Sequence, residues 1–186
     1  MTHGPFLWYA NRGTGVVLLV LLTLTTVMGV LSTRGDAGGH VPRFLTQSLH
    51  RSLALTSTAL LAAHVASAVV DEYVDIRWWQ AVVPIGGTYR PLYLGLGAVA
   101  LDLVLVVVAT SILRTRLSHR TWRTVHLAAY LCWGVAVLHG LGIGTDATTS
   151  WGRATGLACA AAVTLALLIR LAGLGLAALP STGSAR

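Results

Sequence analysis

Lysine is absent from this chain of 186 residues, glutamate occurs once, and charged residues of all kinds reach only 10%. A soluble domain carries about 25%. With 55% hydrophobic residues and a mean hydropathy of +0.73, that deficit excludes an ordinary soluble enzyme, and it excludes disorder too. The only two cysteines, Cys132 and Cys159, both fall inside apolar stretches and read as buried apolar residues rather than a disulfide. Six acids against 13 arginines leave a formal charge of +7. In a soluble protein that balance points to nucleic acid. On this apolar background it points to membrane topology, and no nucleic-acid partner is expected. The length accommodates one membrane domain and no separate soluble catalytic domain.

What the chain does have is long apolar runs. Five of them approach the roughly 20 residues that a helix needs to cross the hydrocarbon core. They extend from about Gly13 to Leu31, Leu49 to Val70, Tyr93 to Leu113, Val125 to Ile143, and Ala154 to Leu171, with room to continue to Leu179 before Pro180. Loop signals separate them: Arg34-Gly35-Asp36, Asp71-Glu72, Pro84 with Gly86-Gly87, the segment Arg114 to Arg123, and Thr145 to Ser150. The first run lacks a compact basic start and is long for a signal-peptide core, so it reads as a retained span. The expected fold is all-α, an integral membrane bundle of five transmembrane helices over residues 1–180, with a disordered tail over 181–186.

Arginine sets the orientation. Arg12, Arg77, Arg90 and Arg153 fall on one side; Arg34, Arg43, Arg51, Arg114, Arg116, Arg120, Arg123, Arg170 and Arg186 fall on the other. The positive-inside rule places the richer side in the cytoplasm, with the N-terminus outside and the C-terminus inside a bacterial plasma membrane. Trp8, Tyr9, Tyr73, Trp78, Trp79, Trp122 and Trp151 sit where an interfacial aromatic belt belongs.

Four of the seven histidines lie inside spans: His50 and His64 in the second, His126 and His139 in the fourth. Ionisable side chains in a membrane are costly and mark function, although a single one can serve as interhelical glue. His50 and His64 are 14 residues apart, about 21 Å along a helix and about 40° out of register. His126 and His139 are 13 apart, about 19.5 Å along the axis. Both spans start on the same side, so they run parallel, and His50 lies level with His126 and His64 with His139. Opposed neutral imidazoles are axial ligands for heme iron, and such a six-coordinate heme favours electron transfer. Zinc competes poorly, because it needs four ligands at one point and these pairs lie about 20 Å apart. With no C-x-x-C-H the heme is of the non-covalent b type. The 13-residue step turns His139 about 140° from His126 on an ideal helix. A distortion near Gly134, or two hemes approached from different sides, are the alternatives.

Two parallel spans with His-x13-His and His-x12-His, in the strings Gln47-Ser48-Leu49-His50-Arg51, Leu61-Ala62-Ala63-His64, Trp122-Arg123-Thr124-Val125-His126 and Leu138-His139-Gly140, resemble the ferric reductase and NADPH oxidase family of membrane cytochromes b. The resemblance covers about Arg12 to Leu171 and is strongest to short bacterial ferric reductase-like proteins, among them the membrane subunit of the methionine-sulfoxide reductase system. It implies two stacked hemes b, the inner held by His50 and His126 and the outer by His64 and His139. It also implies electron flow from a cytoplasmic donor to an outer acceptor. The family usually has six spans where five are read here. Its oxidases carry a flavin and nicotinamide module after the last span. Because the chain ends 15 residues after Leu171, the expected donor is a separate flavoprotein bearing FMN or FAD, or a membrane quinol.

Around the ligands, Arg43, Arg51 and Arg123 on the inner side and Arg90 on the outer side suit heme propionates, beside their topological role. The Arg114–Arg123 segment suits an acidic partner or anionic lipid. Asp102, the only acid within a span, reads either as a proton-relay or quinone-site group or as a neutral hydrogen-bonding acid. Gly95 and Gly97 permit close packing against a helix or porphyrin. The competing functions are a quinol-linked cytochrome b, a heme-handling protein without redox turnover, and a transporter with a histidine and Asp102 proton path.

Overall fold

The computed structural model describes residues 6–32, 42–71, 74 and 76–177, and backbone alone for 174–177. The tail over 181–186, with Arg34 and Arg186, lies outside the described residues. Six α-helices are present among the described residues, with no strand: α1 (Phe6–Ser32), α2 (Arg43–Val70), α3 (Pro91–Ile112), α4 (His119–His126), α5 (Ala128–Ile143) and α6 (Ser150–Ala177). Short 3₁₀ turns cover Trp78–Ala81, Arg114–Arg116 and Thr145–Thr148. α4 and α5 together make one span, so five helices are long and apolar enough to cross a membrane.

The helices outrun the apolar windows, chiefly at their N-terminal ends, because polar residues can continue a helix into the headgroup region. Asn11, Arg12, Gln47 and Ser48 are all helical. The segment expected as one loop from Arg114 to Arg123 is helical from His119. Ser118 caps it, accepting a hydrogen bond from the Thr121 amide at 3.1 Å. The distortion expected near Gly134 is instead at Leu127, which separates α4 from α5. There the Tyr130 amide bonds the Leu127 carbonyl at 3.1 Å, an i to i+3 contact that tightens the turn. Gly134 sits inside an uninterrupted α5.

Packing divides the bundle. α2 lies along α1, α3 lies along α5, and α1 joins the halves by touching α5 and α6. The two histidine-bearing spans, α2 and α4–α5, make no extended contact among the described residues. At mid-height the Trp133 indole on α5 donates to Thr23 Oγ1 on α1 at 3.0 Å. Cys132 and Cys159 are buried free thiols. At one end Arg12 on α1 pairs with Asp146 in the turn before α6, its Nε donating to Oδ2 at 3.0 Å, and its guanidinium lies over Trp8 at 4.2 Å. The pair is mostly buried. Arg12→Ala leaves the Asp146 carboxylate without its partner, and a loss of about 2 kcal/mol is expected, between exposed and fully buried pairs. Thermal unfolding in detergent measures it, and Asp146→Asn is expected to cost less.

Candidate functional site

A histidine on one membrane helix can reach a backbone carbonyl of its neighbour only where the neighbour's side chains let it in. In a helix each Cβ tilts toward the N-terminus, so the side chain at i+4 covers the carbonyl at i. Glycine at i+4 leaves that carbonyl open. Three of the four span histidines use this arrangement.

His50 Nδ1 is 2.9 Å from the Thr25 carbonyl, and its ring lies against Gly29, where a Cβ would stand 3.2 Å from Cε1. His64 Nδ1 is 3.2 Å from the Asn11 carbonyl, with Thr14 Oγ1 also at 3.2 Å, and its ring lies against Gly15 at the same 3.2 Å. His139 Nδ1 is 2.8 Å from the Tyr93 carbonyl, and a Cβ on Gly97 would be 2.6 Å from its ring. The pairs 25 and 29, 11 and 15, and 93 and 97 are each four apart. Because α1 runs antiparallel to α2, Gly15 and Gly29 repeat the 14-residue interval of His64 and His50.

A carbonyl facing Nδ1 fixes that nitrogen as the N–H donor and leaves Nε2 with its lone pair. No hydrogen bond among the described residues occupies Nε2 in any of the three. This is the outer-shell arrangement that orients metal-binding imidazoles.

The structure brings His50 and His126 together with ring centroids 6.2 Å apart and ring planes at 71°. Two imidazoles sharing one metal through bonds of about 2.0 Å have centroids about 6.3 Å apart. His64 on α2 and His139 on α5 stand at a second level, 14 and 13 residues further along the two spans. Among the described residues no cluster of three or more His, Cys, Asp or Glu surrounds a common point, so the donor set is imidazole pairs. The pairs, the glycine clearances and the standing-apart of α2 from α4–α5 fit a flat bis-imidazole metal macrocycle.

The flanking arginines divide. Arg43, Arg51 and Arg123 are exposed near the His50–His126 level. Arg90, whose backbone adopts a left-handed φ of 40° ahead of Pro91, donates through its guanidinium to the Gly142 carbonyl at the end of α5, three residues beyond His139. Asp102 is partly buried on the α3 face of Gly95 and Ala98, about 140° around the helix from Gly97 and so turned from His139. Sequence reasoning missed Gly15, Gly29, the three carbonyls and Asn11, whose amide donates to the His64 carbonyl at 2.8 Å and to Ser67 Oγ at 3.0 Å. The repeated 14-residue glycine interval was the available signal.

A multi-pass helical bundle with paired intramembrane histidines at two depths is the class these features define. The chain matches the model of the ferric reductase like transmembrane component over residues 12–137, and it belongs to that family. Domains of this family generally bind heme. Three of the four histidines lie within the matched region, and His139 lies two residues beyond it. No curated protein and no solved structure matches the chain.

Proposed function

We propose that the chain carries electrons across a bacterial plasma membrane through two bis-histidine b-type hemes, held by His50 with His126 on the cytoplasmic side and by His64 with His139 on the outer side. The observation that carries this reading is the glycine-opened carbonyl that turns Nε2 of His50, His64 and His139 away from its own supporting helix. One such bond alone would serve as interhelical glue; what favours ligation is three Nε2 lone pairs left free at two levels, one of them with the His50 and His126 rings at 6.2 Å.

The paired imidazoles would hold heme b, which would supply a one-electron iron couple. The protein sets where that couple sits. Two levels about 20 Å apart divide a hydrocarbon core of about 30 Å, which one central site would leave half uncrossed on either side. The carbonyls fix the histidine tautomers, and the apolar helices exclude water and raise the weight of each nearby charge. Arg43, Arg51 and Arg123 offer cations to propionates at the inner level and Arg90 at the outer one. The excess of arginine on the His50–His126 side supports a cytoplasmic donor, a flavoprotein carrying FMN or FAD or a quinol, and an acceptor outside. Lipid surrounds the bundle, and residues 1–180 form the single heme domain.

Vesicles holding the purified chain test the reading. With a membrane-impermeant reductant inside and ferricyanide outside, ferricyanide reduction is expected to require the chain and to fall to the empty-vesicle rate in His64→Ala. Heme-loaded vesicles with no transfer above that rate would contradict it.

A further inference from the structure

His126 departs from the pattern of the other three. Its Nδ1 is sealed from solvent and has no hydrogen-bond partner among the described residues. Among the described glycines none faces its ring. What lies against it is Trp122, one turn earlier on α4, with centroids 4.9 Å apart and planes at 25°. The indole Nε1 is likewise buried and unpartnered. The Arg114 guanidinium stands 5.1 Å from the indole centroid. Leu127, the residue after His126, keeps right-handed helical angles where α4 passes into α5 through a tightened turn.

We infer that Trp122 is the positioning residue for His126, fixing its imidazole by ring stacking where the other three ligands are fixed by backbone carbonyls. This rests on the histidine-pair reading above. Two buried polar nitrogens left unpaired in contact with each other are costly and call for a reason. An interfacial anchor would need no such sacrifice, because the indole N–H would face water or headgroups. An offset stack of this geometry, with a cation beside it, restrains the imidazole plane and leaves Nδ1 without an acceptor. The His50–His126 level is therefore asymmetric: one ligand is hydrogen-bonded and the other is not. Since a hydrogen bond at Nδ1 raises ligand basicity, the two levels have distinct axial fields.

The test uses the full-length chain purified in detergent, read by heme-to-chain ratio and by low-temperature EPR of the oxidised protein. His126→Ala first identifies the signal that depends on His126. Trp122→Leu is expected to shift or remove that signal alone and to lower heme from about two per chain toward about one. Trp122→Phe, which keeps a ring, is expected to retain both hemes and both signals. Should Trp122→Leu fail to accumulate, Trp122→Met fills the volume without a ring and carries the same expectation. A ringless variant with both signals unchanged, or with equal loss at both levels, overturns the inference. A wild-type chain without heme would instead overturn the pair reading.

Discussion

His64→Ala or His139→Ala is expected to reduce bound heme from about two per chain to about one, and His50→Ala with His126→Ala to remove the other. The effect is expected to be large because, on the paired-histidine reading, each site would lose one of its two ligands with no neighbour to replace it. Among the described residues neither level has a third histidine, cysteine or carboxylate beside it. Each loss should be confined to its own level, since the two lie about 20 Å apart on each helix. Pyridine hemochrome content and reduced-minus-oxidised spectra measure the result. If the His50→Ala, His126→Ala double variant kept its full heme, the pairing would be wrong.

Gly97→Ala is expected to have nearly as large an effect, although it adds a single methyl. That methyl would stand 2.6 Å from His139 Nδ1 and Cε1, inside any tolerated contact, and the ring would have to swing off the Tyr93 carbonyl. A ring displaced in that way loses both its tautomer control and the direction of Nε2. The His64–His139 level should lose occupancy or its low-spin signature while the other level stays intact. Gly29→Ala and Gly15→Ala meet His50 and His64 at 3.2 Å, so smaller shifts are expected, with leucine at either position repeating the full loss. Gly134→Ala, with nothing within 4 Å, is the silent control. Equal behaviour of Gly97→Ala and Gly134→Ala in heme content and EPR would remove the notch from the account.

The four histidines stood out in the sequence because an ionisable residue is conspicuous in an apolar run; their intervals, with the two spans running parallel, put His50 level with His126, and the structure places those two rings 6.2 Å apart. The number of spans followed from run length for the same reason. What supports the histidines was hidden for physical reasons. The acceptors are main-chain carbonyls of Asn11, Thr25 and Tyr93, which carry no side-chain identity. Glycine in a membrane span has packing as its ordinary explanation, so Gly15 and Gly29 mean something only once α1 is known to run along α2. The tightened turn at Leu127 has neither proline nor glycine to announce it. Trp122 sits where an interfacial belt was expected, and only its stack on His126 separates the two roles.

The heme-to-chain ratio of the wild-type protein, from pyridine hemochrome against quantitative amino-acid analysis, tests the central claim most directly. Two imidazole pairs at two depths predict about two hemes b per chain, both low-spin when oxidised. A colourless protein, or one heme whose spectrum survives both His50→Ala and His64→Ala, would contradict it.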